Sequence, residues 1–276
     1  MLSYGKKESV DWKQFYKKRF RTLYPMFWVA FFIVFLYDFY KNSSIPQGIP
    51  KSAIIWSILG FDGYVSNFGI PTFYLVGEWF LGFIILIYVI FPILLYFVKK
   101  VPKWFSICMF SGLYVCTLLF YKGEIPIDII VTTRLPEILF GMYWIQLGLK
   151  PSRRMALGSF LVLLLNSIVD FSWIHSSIRT LYIGICAFVF LVYFAERLDF
   201  SLIKRICSVI CKYSYPCFII HHIIIYRMSL KFDLSSMTFT KSTMLFMCCG
   251  VVIILASFGL YRATKMIESV AFGDSE

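Results

Sequence analysis

The chain alternates long apolar stretches with short polar connections, and the apolar stretches set the fold. After Lys17-Lys18-Arg19-Phe20-Arg21, the run from Leu23 to Leu36 contains no charge until Asp38. A basic segment meeting an apolar wall, with aromatic residues at the junction, is how a membrane-spanning helix begins. Crossing the hydrocarbon takes about 17–25 apolar residues in helical form. Backbone polar groups cannot stay unpaired in lipid, so each stretch of that length is predicted to be helical. Eight qualify: 23–40, 76–98, 104–121, 128–148, 155–173, 179–195, 213–230 and 242–264. The expected fold is an all-α, polytopic membrane bundle of about eight transmembrane helices.

Charge orients the bundle. With the amino terminus inside, the inner side carries 19 of the 27 basic residues, the outer side seven, and Arg134 lies within a span. Positive residues favour the cytoplasmic side, so both termini are expected to be cytoplasmic. The organisation that follows is a basic cytoplasmic arm at 1–22, a transmembrane domain at 23–264 and a cytoplasmic tail at 265–276. The loop 41–76 is the longest connection. Its apolar stretch Ser52–Phe61 is too short to span and is expected to lie on the membrane surface or to re-enter the bundle. Cys207–Lys212 reads as a short interfacial piece before the seventh span.

Composition agrees: 59% of the 276 residues are hydrophobic, 20% aromatic and only 15% charged, with a mean hydropathy of +0.76. A soluble domain carries about 25% charged residues. The net charge of +12 sits in short loops rather than along a phosphate-binding stripe, so no nucleic-acid partner is expected. The bilayer is the expected partner, the location is multi-pass in the cytoplasmic membrane, and the oligomeric state is left open. Eight cysteines fall mostly in apolar segments with no Cys-x-x-Cys pair, so no metal site is expected. The extended first apolar run, without a small-residue cleavage pattern, does not read as a cleavable signal peptide.

Ionisable groups at membrane depth are functional candidates. Arg134 and Glu137 are three residues apart and share a helix face around Pro136, as a functional pair or as a self-satisfied ion pair. Adjacent His221 and His222 diverge by about 100° on a helix, so at most one faces the bundle centre. There a neutral histidine serves as a general base or as a hydrogen-bonded link between helices. Glu78-Trp79 reads as the start of a span, with an aromatic anchor and an acid at the interface. Asn166 and Asp170 share one face of the fifth span as packing contacts. Lys18, Arg19 and Arg21 lie at the inner surface, as an orientation signal or as a clamp for the phosphates of a cofactor.

Four segments in order resemble the integral-membrane acyltransferase-3 family, which includes bacterial O-acetyltransferases of surface polysaccharides. They are Lys18-Arg19-Phe20-Arg21-Thr22-Leu23-Tyr24-Pro25, Glu78-Trp79-Phe80-Leu81-Gly82 with Tyr88 and Pro92, Arg134-Leu135-Pro136-Glu137-Ile138-Leu139-Phe140-Gly141-Met142, and Ser214-Tyr215-Pro216-Cys217-Phe218-Ile219-Ile220-His221. An Arg-x-x-Arg starting at Arg19 would need an arginine where Thr22 stands, and Lys18 with Arg21 restores the spacing one position earlier. Family members carry about ten spans with a histidine in the first. This chain starts where the third would begin, and so reads as a member without that front end.

The resemblance implies an O-acetyltransferase. Its acyl donor, acetyl-coenzyme A or another acyl-coenzyme A, would be held by Lys18, Arg19 and Arg21 and is not permanently bound. The acceptor would be a hydroxyl of a cell-surface glycan or its lipid-linked precursor. Catalysis would rest on His221, Arg134 and Glu137, and substrate binding on Glu78, Trp79 and Tyr215. The alternative is a catalytically inactive truncated acyltransferase, or a non-enzymatic membrane subunit of glycan assembly or export.

Overall fold

The structure, a computed structural model, describes residues 10–43, 48–73, 75–198 and 200–272. The described residues are helical, with no strand. Lys6 and Lys7 of the basic arm, the side chain of Glu78 and the end of the tail lie outside the described residues. Six helices are long and apolar enough to cross a membrane: α1 (Trp12–Asn42), α4 (Glu78–Lys100), α5 (Lys103–Phe120), α8 (Ser176–Ala195), α9 (Ser201–Ser229) and α10 (Phe239–Phe272). Between α1 and α4 lie the short α2 (Ile54–Leu59) and α3 (Asp62–Val65).

The other two expected spans are the 16-residue helices α6 (Val131–Gln146) and α7 (Arg153–Ile168). At about 1.5 Å per residue each is about 24 Å long, short of a hydrocarbon core of about 30 Å. Hydropathy overran both. The segment before α6 is a 3₁₀ turn over Ile127–Ile129. α7 stops at Ile168, so Asp170 does not share a helix face with Asn166. The Asp170 carboxylate instead accepts from the Ser172 N–H at 2.9 Å, and Asn166 Oδ1 accepts from the Tyr182 hydroxyl at 2.6 Å.

Two expected boundaries fall inside helices. The junction of arm and membrane domain at 22–23 lies within α1, which is helical from Trp12. Cys207–Lys212 is no separate interfacial piece, because it continues directly into α9. Neither stretch contains a helix breaker, and helix hydrogen bonding does not stop where the lipid does.

The chain forms two compact units. The first holds Phe83–Lys204 with Val10 and Asp11. Here α5 packs on α6, and α8 packs on both α6 and α7. Ser152 caps α7 by accepting from the Met155 N–H at 3.2 Å. Phe188 of α8 sits edge-on to Phe140 and Trp144 of α6, with ring centroids 5.8 and 5.5 Å away. Gln146 Nε2 reaches the Val98 carbonyl at 3.0 Å.

The second unit holds Trp12–Gly82 and the chain from Arg205 onward. In α1 the buried positions Leu23, Met26, Phe27, Ala30 and Phe31 recur every three or four residues and form one stripe, while Phe32, Ile33 and Leu36 stay exposed. α10 packs along α1 and keeps Phe246, Ile254 and Leu255 exposed. A helix with so much exposed apolar surface beyond its packing stripe suits a lipid solvent.

Candidate functional site

In the second unit α1 and α9 run parallel, locked at two heights. Near the middle of α9 and in the first half of α1 the Tyr215 hydroxyl donates to the Leu23 carbonyl at 2.9 Å. Towards their ends Arg227 donates to both carboxylate oxygens of Asp38 at 2.7 Å and lies over the Tyr37 ring, 4.6 Å from its centroid. Two-pronged arginine–carboxylate contacts are among the stronger, directional hydrogen bonds. Sequence reasoning missed this pair. Its one signal was an acid and an arginine, each at the outer end of an apolar run.

The long connection 41–76 folds back against the lower half of α1. Phe20, Tyr24 and Trp28 form an aromatic ladder, with centroids 4.7 Å apart for Phe20–Tyr24 and 5.3 Å for Tyr24–Trp28. The two polar tips hold the end of α2: Tyr24 donates to the Leu59 carbonyl at 3.1 Å and Trp28 Nε1 to the Ile58 carbonyl at 2.8 Å. Tyr24 and Trp28 lie 16 and 12 residues before Tyr40, so α2 is carried about 18–24 Å back along α1. The expected apolar stretch Ser52–Phe61 therefore packs into the unit.

Glycines allow this approach. Gly60 ends α2 in the left-handed region at φ 76°, and a Cβ on Gly63 would collide with the Trp79 backbone. Ser57 and Asp62 are fully buried in this segment, and burial pushes the Tyr64 hydroxyl up to about 12, which keeps it a donor.

The chain leaves this segment through Gly77, whose N–H donates to the Ile219 carbonyl of α9 at 3.3 Å. That contact sets the first turn of α4 beside the middle of α9. The Phe218 ring then meets Trp79 at 6.1 Å and Phe80 at 4.2 Å. His221 is next to this aromatic cluster, 5.4 Å from Phe218 between ring centroids. Its Nδ1 is 2.7 Å from the Phe218 carbonyl. A carbonyl only accepts, so Nδ1 is the donor in this contact, which leaves Nε2 as the ring nitrogen that can hold a lone pair. His222, 4.3 Å away between ring centroids, is exposed where His221 is half-buried. The two rings lie against each other and differ in exposure rather than in direction.

The cationic residues divide in the same way. Lys18 and Arg21, three apart on one face of α1, are exposed. Arg19 is half-buried, with its guanidinium 5.3 Å from the Phe15 ring centroid. Tyr215, expected to bind substrate, spends its hydroxyl on Leu23. Trp79 presents a half-buried ring beside Phe218.

Arg134 and Glu137 belong to the first unit and form their expected ion pair, at 3.2 Å. Arg134 Nε also donates to the Asp128 carbonyl at 3.0 Å. The Asp128 carboxylate accepts from the Ser177 hydroxyl at 2.9 Å, which ties the start of α6 to the start of α8. The expected catalytic trio thus divides between the units, with His221 in one and the ion pair in the other.

A family model described as an acyltransferase domain, that of the acyltransferase-3 family, matches residues 2–262. No curated protein and no solved structure matches the chain. The match covers almost the whole sequence. The chain belongs to the acyltransferase-3 family.

Proposed function

We propose, with that membership as the premise, that the chain is an O-acetyltransferase of the cytoplasmic membrane. It moves acetyl from acetyl-coenzyme A to a hydroxyl of a cell-surface glycan or its lipid-linked precursor. The observation that carries this reading is the register between α1 and α9. The Tyr215–Leu23 hydrogen bond ties the helix bearing the cations to the helix bearing the histidine. Arg19 lies four residues before Leu23, and His221 six residues after Tyr215. The cations and the histidine are therefore about 15 Å apart along the helix axes. Phosphate held at this basic stretch, by Lys18 and Arg21 on the exposed face with Arg19 behind them, leaves the extended thiol arm of coenzyme A to reach towards His221.

The chemistry follows from the tautomer. Nε2 of His221 takes the proton of the acceptor hydroxyl as its oxygen attacks the thioester carbonyl. The tetrahedral intermediate collapses with cleavage of the C–S bond, and the thiolate leaves with the proton returned by the imidazolium. The Nδ1 contact with the Phe218 carbonyl holds the ring through both transfers. Trp79 and Phe80 provide aromatic faces beside the base, suited to the apolar face of a sugar ring. Glu78 at the head of α4 is a further acceptor contact in this reading. The Arg134–Glu137 pair is assigned to substrate handling within its own unit, its carboxylate already engaged by the guanidinium.

The test is transfer of label from acetyl-coenzyme A into the surface-glycan fraction by membranes containing the full chain. Label above that of membranes without the chain supports the reading, and equal label in both rejects it.

A further inference from the structure

In the first half of α9 and the last third of α10 two cations are held on aromatic rings, and among the described residues no acid pairs with them. Lys212 Nζ lies over the Tyr261 ring, 4.7 Å from its centroid, and 5.5 Å from that of Tyr213. Arg262 lies over Phe258, 4.4 Å from the ring centroid. Tyr213 bridges the two helices, with ring centroids 5.8 Å from Phe258 and 5.3 Å from Tyr261. Both cations are exposed. Among the described residues no acidic side chain pairs with either, and the nearby Glu268 is engaged by Lys265 at 2.6 Å. Arg205, seven residues before Lys212, continues the basic stripe along α9.

Apolar surface flanks the cations. Val209 and Ile210 of α9 and Leu255 of α10 are 51%, 62% and 66% exposed, in helices long and apolar enough to span. A ring face fixes an ammonium or guanidinium without using up its N–H donors. Lys212 and Arg262 therefore keep donors for an anion, beside a surface made for acyl chains. The basic-residue bias places this end of both helices at the cytoplasmic leaflet, where anionic lipids are found.

We propose that Lys212 and Arg262, seated on Tyr213, Tyr261 and Phe258, form a binding site for the phosphate headgroup of an anionic phospholipid. The acyl chains of that lipid run along the exposed apolar faces of α9 and α10. Charge complementarity and the adjoining apolar surface select a phospholipid over a soluble anion.

Native mass spectrometry of the full chain in a neutral detergent tests the site, with phosphatidylglycerol and phosphatidylcholine of matched chains as probes. Phosphatidylglycerol is expected to bind about tenfold or more tighter than phosphatidylcholine. Lys212→Gln with Arg262→Gln removes that preference, and Lys212→Arg retains it. The charge-matched control Lys150→Gln with Arg153→Gln, in another basic loop, leaves it intact. An undiminished preference in the Lys212/Arg262 variant overturns the proposal. An equal loss in the control overturns it too, since binding would then follow overall charge. Displacement of the bound lipid by acetyl-coenzyme A would assign the cations to the acyl donor and likewise overturn it.

Discussion

The Tyr215 hydroxyl, near the start of the apolar part of α9, donates to the Leu23 carbonyl of α1 at 2.9 Å. This contact joins residues 192 positions apart and fixes how far the basic stretch of α1 stands from His221. Tyr215→Phe keeps the ring and removes the donor, a loss of about 0.5–1.5 kcal/mol. The fold should survive with a slightly lower Tm in detergent, while acetyl transfer falls several-fold because donor cations and base lose their register. Unchanged transfer would make Tyr215 a packing residue only.

The upper lock is stronger. Either Asp38→Asn or Arg227→Gln leaves a half-buried charge without its partner, at an expected cost of about 1–2 kcal/mol. Thermal unfolding in detergent reads this directly. The swapped pair Asp38→Arg with Arg227→Asp should recover part of the loss, and a swap no better than the sum of the single changes would show that the two groups do not interact.

The tight approach of the connection 41–76 predicts a contrast between two glycines. Gly63→Ala drives a Cβ into the Trp79 backbone, which has no rotamer to yield. It should cost about 3 kcal/mol and deplete folded protein in membranes. Gly112, exposed on α5 with nothing within 4 Å of its notional Cβ, should accept alanine at no cost. Equal yields of the two variants in membranes would contradict the packing described.

Much of this was legible in the sequence, because lipid imposes simple rules. Apolar length marked the six long helices, and the three-residue spacing announced the Arg134–Glu137 pair. The 100° step gave the different exposure of His221 and His222 but not the contact between their rings. Hydropathy failed where it counts apolar residues without seeing hydrogen bonds. It extended the fifth span over Asp170, and it did not show that α1 and α9 run on helically through their charged ends. The Asp38–Arg227 and Tyr215–Leu23 contacts were invisible because they depend on which helices become neighbours. The same holds for the hold of Tyr24 and Trp28 on α2.

The shortness of α6 and α7 makes their crossing a separate matter. A helix of about 24 Å crosses by local thinning of the bilayer and by snorkelling of flanking Lys150 and Arg153. Reporter fusions after Lys122, Lys150, Trp173 and Leu198 should then read outside, inside, outside and inside. A reporter at Lys150 that agrees with Lys122 would show that α6 and α7 turn back without crossing.

The division among the basic residues of α1 predicts distinct phenotypes. Lys18→Gln with Arg21→Gln, both exposed, should raise KM for acetyl-coenzyme A about tenfold with little change in Tm. Arg19→Gln, half-buried against Phe15, should lower Tm as well. If the Lys18/Arg21 variant alters insertion but not KM, these cations are orientation signals.

As the base of an acyl transfer, His221 sets the rate where its neighbour does not. Rates of acetyl transfer from labelled acetyl-coenzyme A to surface glycan, compared for the wild type, His221→Ala and His222→Ala at equal levels in membranes, test this most directly. His221→Ala is expected to lose about 10²–10⁴-fold, and the exposed His222→Ala to change within about threefold. Full activity in His221→Ala, or equal losses in the two variants, would contradict it.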